Sequence, residues 1–333
     1  MIVRHDISLR KFNTFGVDVR AKAFCEVEGA EDLRELISSG MLREKHFILG
    51  GGANILFTKD FDGLIIKSAI KNIAVDNEIV EAGSGVVWHD FLQFLLKNSL
   101  YGGENLAKIP GTVGAAPVQN IGAYGAEQKD IFESLDAIDL QTGEMRTFRS
   151  EECKFAYRYS IFKTPEFAGR YFITHVRYRL SHEPVINCNY KDLRNRMQAD
   201  GVHSPTPEYV FSAISSIRDA KLPDPAEFGN AGSFFKNPVI SPEYFAELVR
   251  IHGELPSYPA PNGMIKVPAA KLIELVGLKG ARRGDAGISP KHALIVQNFG
   301  SATGKDLFEF SEHVIERVAE MFGITLEREV IVV

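Results

Sequence analysis

Hydrophobic and polar positions change period several times along the chain, and each change marks a new element. Residues 23–28 alternate with period two, which predicts a strand. Residues 31–39 open with acidic side chains and stop at Gly40, which predicts a helix. Short apolar runs at 47–49, 55–57 and 64–66 add strands around that helix, the pattern of a small α+β unit. From about residue 71 the texture changes. Residues 78–82 read as a strand, and 88–100 as an amphipathic helix with Phe91, Leu92, Leu95 and Leu96 on one face and Gly102-Gly103 as its end. A glycine-rich, polar-poor stretch runs from Ile109 to Gly125, followed by strands at 135–140, with a Thr142-Gly143 turn, and at 171–180. A third texture begins near 205, with helices at 208–221, 241–252, 268–276 and 306–322. In the last of these Leu307, Phe310, Val314, Ile315 and Val318 are spaced as a core face. The tail, 326–333, alternates and then turns wholly apolar, which predicts a strand inserted into a sheet.

Composition narrows the function classes. The 333 residues carry 38 Lys and Arg against 43 Asp and Glu, a net charge of −5, and no basic run breaks the balance. The electrostatic footprint of a nucleic-acid binder is missing, although local cations can hold a small anion. Cys25, Cys153 and Cys188 are far apart and form neither a disulfide framework nor a metal-ligand cluster, so no metal is expected and the thiols read as buried or incidental. The first residues lack an apolar stretch of signal-peptide length, and nowhere do 18 apolar residues run together. The expectation is a cytoplasmic monomer with no membrane partner.

The commonest nucleotide signatures fail. Gly50-x-Gly52 and Gly83-x-Gly85 lack the third glycine of the dinucleotide fingerprint. Gly300-Ser-Ala-Thr-Gly304-Lys305 is one residue short of a P-loop and reads as a loop capping the helix that starts near Asp306. Two other glycine-rich loops remain: Gly50, Gly51, Gly52, Ala53 and Asn54, and Pro110, Gly111, Thr112, Val113 and Gly114 with its continuation through Ala115, Asn120, Gly122, Ala123 and Tyr124. Glycine lets backbone N–H groups approach an anion closely, so a pair of such loops suits a diphosphate, or else two tight turns. Arg158 stands among aromatics in Phe155-Ala-Tyr-Arg-Tyr-Ser-Ile-Phe-Lys163, as a carboxylate or phosphate fork or as an arginine lying over apolar surface. Ser233 follows a glycine turn in Gly229-Asn-Ala-Gly-Ser-Phe-Phe-Lys-Asn-Pro238, as a capping hydroxyl or a proton donor. Glu327 and Glu329 share one face of the tail, where an acid is ordinarily a solvated edge residue.

Taken in order, these segments resemble the UDP-N-acetylenolpyruvoylglucosamine reductase family, and the resemblance runs from Asn13-Thr-Phe-Gly16 to the last strand. It implies an α+β protein of the vanillyl-alcohol-oxidase (PCMH-type) FAD-binding fold, with two α+β subdomains and a third α+β substrate-binding domain. The implied boundaries are 1–70, completed by 324–333, then 71–204 and 205–323. The two glycine loops would hold FAD without a covalent link. Tyr190, in a loop that closes over the substrate diphosphate, would bind the UDP-sugar with Lys221, Asn237, Tyr258 and Lys266. NADPH would supply hydride to the flavin, which passes it to the enolpyruvyl β-carbon of UDP-N-acetylglucosamine enolpyruvate, giving UDP-N-acetylmuramate for peptidoglycan. Arg158 and a protonated Glu329 would stabilise the developing carboxylate charge, and Ser233 would protonate the α-carbon. Two residues depart from the family pattern: Ala53 where serine is frequent, and His292 where glutamine is expected. The rival readings are another FAD-dependent sugar or alcohol oxidase of this fold, whose flavin is often tethered through His or Cys, and a non-catalytic nucleotide binder. Neither glycine loop contains His or Cys.

Overall fold

The computed structural model describes all residues, Met1–Val333. The chain forms two compact units: residues 1–7, 20–52 and 61–220 make one, and residues 8–19, 53–60 and 221–333 make the other.

The first unit holds two sheets. Strands Val3–Ser8, Arg20–Val27, Phe61–Ser68 and His46–Leu49 lie side by side in that order, and Phe61–Ser68 pairs in parallel with both of its neighbours. Helix Ala30–Ser38 buries Leu33 and Leu36, which join a core with Ala23, Cys25, Val27, Leu64 and Ile66. The second sheet runs Met145–Arg149, Phe132–Asp139, Tyr171–Arg179, Ile79–Gly83 and Ile73–Asp76, antiparallel throughout. Trp88, Phe91, Leu92 and Leu95 of helix Trp88–Lys97 fill the core against Val176 and Tyr178 of that sheet. The helix stops earlier than its apolar stripe predicts. The Asn98 side chain donates to the Phe94 carbonyl at 2.8 Å, and Ser99 turns the chain at φ 54°, before Gly102 is reached. Two helices escape sequence prediction: the single turn Ser150–Cys153, and Lys191–Asp200, which buries only Leu193 and so shows no apolar stripe.

In the second unit, strands Gly229–Ser233, Ile295–Asn298, Ala286–Ile288 and Arg282–Arg283 form one sheet. Helix Gly304–Phe322 lays Leu307, Phe310, Val314 and Val318 into the core, as its spacing predicts. Thr303 caps that helix, and its hydroxyl accepts from the Asp306 N–H at 3.2 Å while Asp306 accepts from the Thr303 N–H at 2.8 Å. The loop at 300–304 is a helix cap, as the sequence suggests. The tail differs from the single inserted strand that its pattern predicts. Residues 327–329 pair with 234–236, and only Ile331–Val332 forms a strand, parallel to Ile55–Leu56. The side chain of Arg328 lies over the Phe308 ring and reaches Ser311 and Glu312 of the long helix, which splits the tail into two short pairings.

Candidate active site

In the first unit the two glycine loops meet backbone to backbone. A Cβ placed on Gly51 would lie 2.9 Å from the Gly111 Cα, and one on Gly50 would lie 3.0 Å from the Ala115 Cβ. No side chain fits where the loops touch. The second loop is strapped along its length: Gly111 accepts from the Trp88 N–H at 3.1 Å, Val113 donates to Val86 at 2.9 Å, and Gly114 donates to Ser84 at 3.0 Å. Gly111 itself takes φ 118°, a conformation open to glycine alone at little cost. These loops fit the diphosphate of a dinucleotide: backbone lies against backbone at Gly51 and Gly111, and only the small side chains of Thr112 and Ala115 stand at the junction. No ligand tether is available there, because residues 50–54 and 109–125 contain no His or Cys.

Arg158 is joined to the same loop. It sits at φ 54° in a tight turn and donates from Nη2 to the Gly122 carbonyl at 2.7 Å. Fully buried Asn120 donates to the Ala156 carbonyl at 3.0 Å, and the Ser160 hydroxyl donates to the Val118 carbonyl at 2.5 Å. Three bonds thus stitch residues 118–122 to 156–160, so the loop and the arginine hold one geometry. Tyr124 closes this stretch, and its ring meets Tyr190 edge to face at 5.0 Å between centroids. Burial pushes the Tyr124 phenol up to about 12, so it remains proton-bearing at neutral pH.

One residue that the sequence does not single out belongs here. Arg218, on helix Pro207–Lys221, has its Nε shut away from solvent without a hydrogen-bond partner. Burial pulls its pKa down, and the nearby Arg158 cation pulls the same way. An enclosed guanidinium near a second cation is repelled by it, and a bound anion would relieve that repulsion. Its helical context, a charged residue on a surface helix, carries no signal.

In the second unit the tail that carries Glu329 pairs with the segment that follows Ser233. The Glu329 N–H donates to the Phe234 carbonyl at 2.8 Å, and the Lys236 N–H donates to the Glu327 carbonyl at 2.8 Å. Glu329 is thereby held beside the residue that follows Ser233, and it is buried, 8% exposed, where Glu327 stays in solvent. The solvated-edge alternative therefore applies to Glu327 and not to Glu329. Asn54 fixes the tail from the other side, donating from Nδ2 to the Glu329 carbonyl at 3.1 Å. The glycine turn before Ser233 is capped by Asn230, whose Oδ1 accepts from the Gly232 N–H at 3.0 Å. No hydrogen bond within the chain occupies the half-buried Ser233 hydroxyl. It is not a cap.

Of the sugar-nucleotide candidates in this unit, Tyr258 and Lys266 are directly opposed on a small three-stranded sheet, and Val239 flanks Lys266 on the other side. Asn237 accepts at Oδ1 from the Ala269 N–H at 2.9 Å and so also starts helix Ala269–Leu275. Lys221 ends its helix near His292, whose pKa is lowered by burial first and by the Lys221 cation second.

A pH dependence follows from His89. Its Nδ1 accepts from the Lys108 N–H at 3.2 Å, two residues before Pro110, and its ring stacks on Phe211 at 5.2 Å. Burial, then the Lys108 cation, holds its pKa below the ordinary value. The folded state resists a proton that the unfolded state accepts. This stabilisation is complete above the unfolded value of about 6.5 and is lost as pH falls from there through the folded value. Melting temperature should drop as pH falls below about 6.5, and His89→Gln should flatten part of that drop. Parallel profiles for the two proteins would remove His89 as the cause.

Comparisons with known proteins agree with this geometry. A profile described as FAD binding domain matches residues 8–149, and one for the C-terminal domain of UDP-N-acetylenolpyruvoylglucosamine reductase matches residues 224–333. The reductase of that name from Chromobacterium violaceum is 47% identical, over 98% of this chain and 97% of its own length. Those of Pseudomonas fluorescens and Flavobacterium johnsoniae are 44% and 42% identical, over 98% and 100% of both chains. The crystal structure of the reductase from Thermus caldophilus superposes with a TM-score of 0.70 at 25% identity, covering 99% of each chain. A likeness of this extent, spanning both units and carrying an FAD-binding profile, leaves one conclusion: the chain belongs to the UDP-N-acetylenolpyruvoylglucosamine reductase family.

Proposed function

We propose that this chain reduces the enolpyruvyl ether of UDP-N-acetylglucosamine enolpyruvate, with Arg158 and Glu329 stabilising the developing charge and Ser233 delivering the proton. As a family member it is an FAD-dependent oxidoreductase of peptidoglycan precursor synthesis, a UDP-N-acetylmuramate dehydrogenase with NADPH as co-substrate. Bound non-covalently on residues 50–54 and 110–124, FAD supplies a two-electron carrier between NADPH and the substrate β-carbon. The chain's own residues supply the rest.

The observation that carries the reading is the Ser233 hydroxyl, which no hydrogen bond within the chain occupies, on the segment whose next residue, Phe234, is bonded to the backbone of buried Glu329. Hydride addition at the β-carbon drives negative charge onto the substrate carboxylate. Arg158, with Arg218 behind it, offers fixed positive charge to that carboxylate, and Glu329 offers a further contact. Fixed donors aimed at developing charge are worth about 3–4 kcal/mol each in comparable oxyanion sites. Ser233 protonates the α-carbon and is resupplied from Lys221 or water. Tyr190, Lys221, Asn237, Tyr258 and Lys266 hold the sugar nucleotide. We read the two sheets of the first unit as two cofactor-binding subdomains with a boundary near 70, and residues 205–323 as the substrate-binding part. No helix is long and apolar enough to cross a membrane, and we place the enzyme in the cytoplasm as a monomer.

The test is the purified protein. It should be yellow, it should release its colour into the supernatant on acid precipitation, and it should oxidise NADPH only when the enolpyruvyl sugar nucleotide is present. Rapid NADPH oxidation with oxygen alone would favour an oxidase. Within this reading Tyr190→Phe should raise KM for the sugar nucleotide by up to about tenfold, the worth of one hydrogen bond. An unchanged KM would remove Tyr190 from the substrate site.

A further inference from the structure

Between helix Trp88–Lys97 and the second glycine loop lies a one-turn segment, Glu104–Leu106, in which every residue is buried. Its two ends are pinned. Both Glu104 carboxylate oxygens accept from the Gly102 N–H, at 2.9 and 3.1 Å, and the Leu106 carbonyl accepts from the Trp88 indole at 3.1 Å. The middle residue, Asn105, is 5% exposed and points its amide at two separate loops. Nδ2 donates to the Tyr124 carbonyl at 2.9 Å and to the Asn187 carbonyl at 3.0 Å. Asn187 answers with its own amide, donating to the Gly125 carbonyl at 3.3 Å, and its Oδ1 accepts from the Asn189 N–H at 3.1 Å. Tyr190 is the next residue, with its ring against Tyr124.

We infer that Asn105 is a positioning residue for the reaction: it fixes the segment carrying Tyr190 to the end of the cofactor loop. The inference rests on the reading that Tyr190 holds the substrate. One amide group supplies both donors, so the two carbonyls cannot separate without leaving a buried bond unmade. The amide is itself held in place, because both flanking residues are buried and hydrogen-bonded. Helix Lys191–Asp200, which begins immediately after Tyr190, has a single buried anchor in Leu193. The segment before it packs Ile186 and Cys188 on the same core, and the Asn105 and Asn187 bonds tie it to the cofactor loop. Both targets are backbone carbonyls distant in sequence, so only the folded chain reveals the link.

The experiment uses the FAD-loaded enzyme and the product UDP-N-acetylmuramate as probe, with dissociation constants measured by calorimetry. Asn105→Ala removes both donors and should weaken product binding by up to about tenfold, the loss expected for Tyr190→Phe. FAD content and the rate of flavin reduction by NADPH should stay at wild-type values, which a general structural defect would not allow. If Asn105 acts through Tyr190, the two losses should fall well short of adding in the double variant with Tyr190→Phe. Asn105→Asp, equal in size but without the donors, should behave like the alanine variant. Tyr190→Phe binding product as wild type does would overturn the reading underneath. Weak binding by Tyr190→Phe, with normal binding by Asn105→Ala or fully additive losses, would overturn the inference alone. Loss of FAD or of folding in both Asn105 variants would make the residue a structural one and end the proposal.

Discussion

Gly51→Val should give a folded protein that purifies nearly colourless. The reason is space. The Cβ that valine adds would sit 2.9 Å from the Gly111 Cα and 3.3 Å from its carbonyl carbon, so it meets backbone and not a side chain that could swing aside. Gly111 is in turn fixed by its bond to Trp88. Overpacking of this kind costs about 1–3 kcal/mol, which taken from cofactor binding is roughly 5- to 150-fold in FAD affinity. Gly51 is exposed and lies outside every strand, so the circular dichroism spectrum should be unchanged. Gly29→Ala is the control, because nothing lies within 4 Å of its added Cβ. FAD titration of the apoproteins by fluorescence measures both. A Gly51→Val protein that retains its full complement of flavin through gel filtration would show that the loops do not form the cradle.

That junction also marks the limit of what the amino-acid sequence carries on its own. The residue types are legible in it: two glycine loops without His or Cys, an arginine among aromatics, a serine after a glycine turn. Contact between parts distant in sequence is not. Nothing in residues 50–52 announces that residues 110–114 lie against them, and Asn54, read as part of the cradle, also holds the tail through the Glu329 carbonyl. Arg218 and Asn105 escape for the same reason, since each is defined by what surrounds it and not by its neighbours in sequence. The short strands Val239–Ile240, Tyr258–Pro259 and Ile265–Lys266 are too brief to show a period of two. By contrast the long helices are legible almost to their ends, because Gly304–Phe322 and Pro207–Lys221 carry their own apolar stripes. The tail misleads because alternation specifies a strand but not its partner, and here the partner changes at residue 330.

Ser233→Ala should divide the catalytic cycle in two. Flavin reduction by NADPH needs no proton at carbon, whereas reduction of the enolpyruvyl group needs one at the α-carbon. The structure removes the competing role for this hydroxyl: Asn230 caps the turn, and the strand around Ser233 is held by backbone bonds that alanine keeps, including Phe234 N–H to the Leu294 carbonyl at 2.8 Å. Stability should therefore change little. In stopped-flow absorbance, bleaching of the flavin band by NADPH should proceed at nearly the wild-type rate. Its return on adding the enolpyruvyl sugar nucleotide should slow by about 10²- to 10⁴-fold, the contribution of a positioned general acid. Ser233→Cys should recover part of the loss, since a thiol of similar size also carries a proton. The flanking contacts should make the result specific, because the bond from the Glu329 N–H to the Phe234 carbonyl involves backbone alone and does not need the Ser233 side chain. Equal slowing of both half-reactions in a well-folded Ser233→Ala enzyme, or none in either, would take the proton-donor role away from Ser233.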